Sequence, residues 1–379
     1  MNFLPETGNR ILSYSSTSLG IDFKYAQCNI PDAGDRVGSL FLPNAPPVTV
    51  TNQVYFSTTC LTVVFIILGT VGNTLAFVVL GREKPFTSTS ILLRALAVAD
   101  GLVLFFELQA ETVTNMNYYT GILVPYREFL ELTHEYMNAL LFSSKTASIY
   151  VTMVVAGERY VAVCKPLKAA TICTKRNASK SGVVVFLLSL HYRIPLIFQS
   201  ITTFVYDPCS EKFRPYWNYS PLYHEPIYNI VYVATLHMLI NAFIPIIVLL
   251  LVSALIIMTL KAGPPTGELT EGTRNKSKES IMVTKRVLAV VVVFIILETP
   301  GAIVQPFHYS SAFDQVVVGL ATKVCYLLGN INCFVNFILY FFYFQLRLFN
   351  FFRVPNLFFG VFINSFWWLR NFYFCRFGC

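Results

Sequence analysis

Charge is scarce in this chain: across 379 residues there are 20 acidic and 28 basic side chains, 13% of the whole. That is about half the charged share of an ordinary soluble domain. Hydrophobic residues make up 55%, which excludes a disordered chain and argues against a water-soluble enzyme. The marks of common enzyme chemistries are also missing. There is no glycine-rich phosphate loop, no His-Glu-x-x-His and no Cys-x-x-Cys metal spacing. His134, His191, His224, His237 and His308 are scattered along the chain, so no catalytic residue is assigned. The amino end lacks a basic segment followed by an apolar core. A cleavable leader is therefore not expected, and the first apolar run serves as its own insertion signal.

Seven apolar stretches are present, at 55–80, 89–110, 136–163, 182–205, 227–260, 282–306 and 318–344. Each reaches the roughly 20 residues a helix needs to cross a bilayer core. In lipid, backbone amides must be satisfied within their own segment, so such runs read as helices. The expected fold is an all-α membrane protein, a seven-transmembrane bundle over 55–344. A polar segment, 1–54, precedes it; a short amphipathic eighth helix and an aromatic-rich tail, 345–379, follow.

The basic residues divide unevenly among the loops. With the N-terminus outside, 18 lie on the inner side and six on the outer, while Lys145, Arg159, Arg193 and Lys323 fall within spans. That bias predicts a multi-pass plasma-membrane protein with its N-terminus outside and its C-terminus inside. Dispersed over loops, the charges do not point to nucleic acid. The outward-facing glycosylation sequon is Asn218-Tyr219-Ser220. The tail beyond Arg353 is rich in Phe, Tyr and Trp and suits the lipid interface, which makes membrane lipids a partner.

Two constellations narrow the class. At the inner end of span three stands Glu158-Arg159-Tyr160, followed by Pro166-Leu167. Far apart in sequence, Asn73, Asp100, Ser148, Asn332 and Asn336 place polar groups within spans one, two, three and seven. An ionisable Asp inside a span is costly and functional by default. Asn332 and Asn336 are four apart and share a helix face. Oxygens from Asp100, Ser148, Asn332 and Asn336 suit a small hard cation; a purely structural polar network is the other reading.

These motifs resemble the rhodopsin-like G-protein-coupled receptors, over about residues 55 to 348. The resemblance implies that Arg159 is held by Glu158 at rest and turns to a heterotrimeric G protein when the bundle opens, with Tyr160 and Tyr340 in the same switch. It makes the oxygen set a site for an allosteric sodium ion, and implies no other cofactor or metal. Pro195, Pro245 and Pro300 are the expected helix kinks. The end of span seven, Asn336-Phe337-Ile-Leu-Tyr340, is similar to invertebrate receptors of the FMRFamide type, and Pro195-Leu-Ile-Phe198 in span four resembles that group too. The implied ligand is an extracellular amidated peptide.

Departures from the family pattern matter as much. His134 stands where a disulfide cysteine is usual, so Cys209 lacks its ordinary partner; a Cys28 to Cys209 bridge and a free buried Cys209 both stay open. Glu298 replaces the switch aromatic of span six, and Lys145 lies fourteen residues before Arg159 in span three. A lone buried charge is strongly penalised, so a Lys145 to Glu298 ion pair beneath the ligand is expected. Asp100, Glu107 and Glu111 share one face of span two and climb roughly 16 Å outward. Glu107 and Glu111 could receive a cationic ligand group; alternatively Glu107 pairs with Lys323 and Glu111 is solvated. Leu141, at the place of the family's amine-binding aspartate, disfavours amine ligands. Leu141, Lys145, Glu298, Lys323, Glu107 and Glu111 thus form the expected ligand pocket.

Three competing readings remain. Intramembrane charges also suit an ion-coupled transporter or pump, although no repeated broken-helix signature accompanies them. An opsin would need lysine where Asn330 stands. A signalling-impaired receptor with a non-peptide ligand is raised by Glu298, Phe337 and the altered cysteine.

Overall fold

Local sequence writes several of the helix starts. Thr87 accepts a hydrogen bond from the amide of Ser90 (3.2 Å), and Thr174 accepts one from Asn177 (3.2 Å), so each satisfies an N–H that has no partner within its helix. A computed structural model describes residues 49–82, 87–113, 126–207, 212–262, 271–304, 307 and 314–351. Its long helices are α1 (Thr49–Arg82), α2 (Ser88–Glu107), α3 (Arg127–Cys164), α4 (Lys175–Ile197), α5 (Ile244–Ala262), α6 (Glu271–Val304) and α7 (Gln315–Phe351). Six of the long helical stretches, that of α5 together with the π-helical turns before it, are long and apolar enough to cross a bilayer. The remaining one, α2, carries Arg94, Asp100 and Glu107 and packs on α1, α3, α4 and α7.

The α3 helix is the axis of the bundle. It packs against α2, α4, α5 and α6, and 67% of its apolar window is buried, against 17–33% in the other candidate spans. The protein is polar inside and apolar outside: Asp100, Glu107, Asn330 and Asn336 are buried, while Ile67, Leu187, Leu188 and Leu251 are more than half exposed. Lipid rather than water solvates that outer surface, which removes the usual penalty for exposing leucine.

Two segments widen into π-helical turns. Leu108–Thr112 continues α2, and Tyr228–Leu236 with Leu239–Phe243 lead into α5 just before Pro245. Proline has no N–H to close an α-helical turn, which accounts for the loosened geometry there. Pro195 and Pro300 lie within α4 and α6 as expected.

Two boundaries differ from expectation. The fourth span was expected at 182–205, yet the helix is Lys175–Ile197 and the chain then forms an antiparallel hairpin, β1 (Ser200–Asp207) and β2 (Lys212–Tyr219). Ile201 and Phe204 extend the apolar count, but they are exposed residues of β1. The seventh span was expected to yield to a separate short helix after 344. Instead α7 runs unbroken to Phe351, because neither Gly nor Pro occurs between Gly329 and Pro355.

One close contact explains how Phe337 is tolerated in place of the usual proline. A Cβ added at Gly72 would lie 2.8 Å from Phe337 Cβ and 2.5 Å from its ring, so the absent side chain of α1 is what admits the phenylalanine of α7.

Candidate functional site

At the C-terminal end of α3, Arg159 Nη2 lies 3.3 Å from Glu158 Oε2. The same nitrogen donates to Thr89 Oγ1, and Ser88 Oγ donates to Glu158 Oε1. Both charged side chains are nearly buried, so the first turn of α2 and the last turns of α3 form one latch. Lys165 Nζ sits 5.5 Å from the Tyr160 ring.

In the middle of the bundle, Asp100 is fully buried. Ser148 Oγ donates to Oδ1 (2.5 Å) and Asn336 Nδ2 donates to Oδ2 (2.8 Å). Asn73 Nδ2 ties α1 to α7 through the carbonyl of Cys333 (3.1 Å). Asn332 Nδ2 donates to Glu298 Oε1 (3.3 Å), which leaves its Oδ1 on the side of the amide that the expected oxygen set would use. Four residues along a helix advance about 6 Å, so Asn332 sits a full turn nearer the cavity than Asn336 and meets the carboxylate of α6 there.

Toward the hairpin end lies a cavity of about 470 Å3, walled by α3, α4, α6, α7, the π-helical approach to α5 and the hairpin. Among its lining residues are Glu135, Lys145, Arg193, His237, Glu298 and Lys323. Lys145 Nζ is 3.1 Å from Glu107 Oε2 and 4.1 Å from the centre of the Tyr326 ring. Arg193 is buried on α4, donating to Thr146 Oγ1 (3.1 Å from Nη2) and contacting His237 Nδ1 (2.8 Å). Its guanidinium lies over Phe142 and Tyr192, and Thr146 completes the link to α5 through Asn241 Oδ1 (2.8 Å). A charged latch at one end of α3 and a polar cavity toward the other are thus joined by one helix.

The family model for the 7 transmembrane receptor (rhodopsin family) matches residues 72–340. The chain belongs to the rhodopsin family of seven-transmembrane receptors. It is also similar to the FMRFamide receptor of Drosophila melanogaster, 28% identical over 278 residues, covering 72% of this chain and 49% of that relative. This receptor chain therefore spans about half the length of the curated relative it matches. Membership makes it a multi-pass membrane receptor and not an enzyme, and it displaces the transporter reading.

Within the receptor, the expected pocket residues separate. Lys145, Glu298 and Lys323 line the cavity. Leu141 does not: it is fully buried in the apolar core with Ile66, Val103, Leu104 and Cys333. Glu107 stands behind the wall, bordering a smaller cleft with Thr59, Thr62, Thr112 and Lys323. The expected Lys145 to Glu298 pair is likewise replaced by Lys145 to Glu107. Glu107 is 1% exposed and Glu298 faces the cavity, so the ammonium goes to the carboxylate that would suffer more from lacking it.

The side chains of Glu111 and Tyr340, together with Cys28 and Cys209, lie outside the described residues. His134, standing where the cysteine is usual, lines the cavity. The network of Arg193, Thr146, His237 and Asn241 escaped sequence reasoning. Its one advance signal was an arginine placed inside a span, since the partners come from three different helices.

Proposed function

We propose that this receptor recognises an amidated neuropeptide of the FMRFamide type at the cell surface and passes the event to heterotrimeric G proteins. The observation that carries the reading is the cavity of about 470 Å3 lined by charges of both signs, joined by α3 to the Glu158–Arg159 latch. That volume is in the range of ligand pockets, and a peptide with cationic and amide groups needs such a mixed wall. The Drosophila relative's name supports the same ligand class. The basic bias of the loops supports an N-terminus outside. In that orientation Asn218, exposed on β2, is a glycosylation acceptor.

Asp100, Ser148 and Asn336, with Asn332 beside them, would hold a sodium ion. The fit rests on hard oxygen chemistry: a buried carboxylate and a hydroxyl, with Asn332 Oδ1 buried and making no hydrogen bond among the described residues. A sodium ion, when bound, would supply positive charge beside Asp100, with the oxygens of Asp100, Ser148, Asn332 and Asn336 as the groups that would hold it.

Expression of the surface-tagged full chain with a promiscuous calcium-coupled G protein tests the reading against a panel of amidated peptides. A calcium response at low concentration is the expected result. Silence despite confirmed surface display would overturn the peptide assignment in favour of a non-peptide ligand or an impaired receptor.

A further inference from the structure

We propose that Glu298 is the seat for the ligand's cationic group, a guanidinium or ammonium, and so decides specificity for charge within the cavity. The inference rests on the peptide-receptor reading and adds to it the place where charge is read.

The argument begins with which carboxylates are already satisfied. Lys145 is ion-paired with Glu107 and Arg159 with Glu158. Glu107 and Glu158 therefore have their counter-charge within the protein. Glu135, near the mouth, accepts from Thr202 Oγ1 (2.9 Å) and is buried. Glu298 differs from Glu107 and Glu158 in having no counter-charge within ion-pair distance, and from Glu135 in that its hydrogen bond is the longer one and comes from α7. It lines the cavity, and among the described residues its one hydrogen bond is the long one from Asn332 to Oε1 (3.3 Å), with no basic side chain within ion-pair distance. Lys145, which sequence logic assigned to it, is committed to Glu107.

Glu298 has no cation within ion-pair distance; the Lys145 ammonium, held by Glu107, acts on it only from further away, and a carboxylate inside a bundle without a close counter-charge is costly. A ligand that brings a cation removes that cost on binding, so the carboxylate selects for positive charge. Two glycines border the carboxylate: Gly329, where an added Cβ would make ordinary contact with Glu298 Oε1 at 3.9 Å, and Gly301, one turn further along α6 on the cavity wall. Glu298 also stands two residues before Pro300 inside α6. The seat is therefore within one turn of the position where α6 lacks a backbone N–H donor.

The test uses the purified full chain in detergent, melted with arginyl-phenylalaninamide or with its neutral isostere citrullyl-phenylalaninamide, probes that differ in charge and hardly in shape. The wild type should prefer the arginyl probe by about 30-fold in apparent affinity. In Glu298→Gln the two probes should bind within about threefold of each other, and Glu298→Asp should keep part of the preference, which a merely structural role would not produce. An arginyl preference undiminished in Glu298→Gln, or none in the wild type, overturns the proposal. The receptor reading fails separately: a silent cell assay alongside an intact, Glu298-dependent preference leaves the seat standing and removes the signalling role. A calcium response to peptides without any preference for arginine does the reverse.

Discussion

The two ends of α3 treat charge in opposite ways. At the latch, Glu158 and Arg159 are neighbours in sequence, and the hydroxyls of Ser88 and Thr89 complete their shell. Around the cavity, Lys145, Arg193, Glu298 and Lys323 come from four helices, and their partnerships cross the bundle or face open space. The latch is a closed device, a pair adjacent in sequence completed by two hydroxyls from the first turn of α2. The cavity is an open tertiary arrangement that a ligand can complete.

The largest effect should come from the ion pair of Lys145 and Glu107, which crosses from α3 to α2 near the cavity. Lys145→Ala takes from Glu107 the ammonium 3.1 Å away and should cost about 3 kcal/mol or more, read as collapse of surface display. Replacing Glu107 as well should restore much of it, whereas replacing Glu298 should not; equal damage in the Lys145→Ala single and the Glu107 double variant would refute the pairing.

Next comes Gly72→Ala, which forces a methyl against Phe337 and should lower stability by about 1–3 kcal/mol, measured by thermal melting. Phe337→Ala in the same chain should recover part of the loss. A smaller effect belongs to the latch. Thr89→Ala removes one hydrogen bond to Arg159, worth about 1 kcal/mol, and should raise ligand-free signalling by roughly fivefold. Unchanged basal signalling would mean the resting state does not depend on that bond. Smallest of all, Asn218→Gln should shift the band on a denaturing gel while agonist potency stays within about twofold, since the side chain is exposed on β2. A band that does not move would count against placing the hairpin outside.

Much of this was legible in the sequence, and the reason is depth counting. Once Arg159 marks one end of span three, a fixed rise per residue puts Lys145, Ser148 and His134 at their levels. Asp100, Ser148 and Asn336 came together because small polar side chains in apolar helices have few partners to choose from. Lysine has a long stem and several carboxylates within reach, so level alone did not decide between Glu107 and Glu298. Leu141 shows the same limit: its level was right, but its side chain points into the seam with α1, α2 and α7 rather than into the cavity. The hairpin was missed because Ile201 and Phe204 count as apolar whether lipid or a strand surface receives them.

The unbroken α7 has a mechanical consequence. From Asn336, bonded to Asp100, to Phe351 there are fifteen residues of continuous helix, a rigid arm of about 22 Å. A tilt of about 10° pivoting on Asn336 would sweep the far end by roughly 4 Å without any bend between. With phenylalanine where a proline hinge is usual, any tilt of α7 about the Asp100 cluster would pass undiminished to the arm's tip.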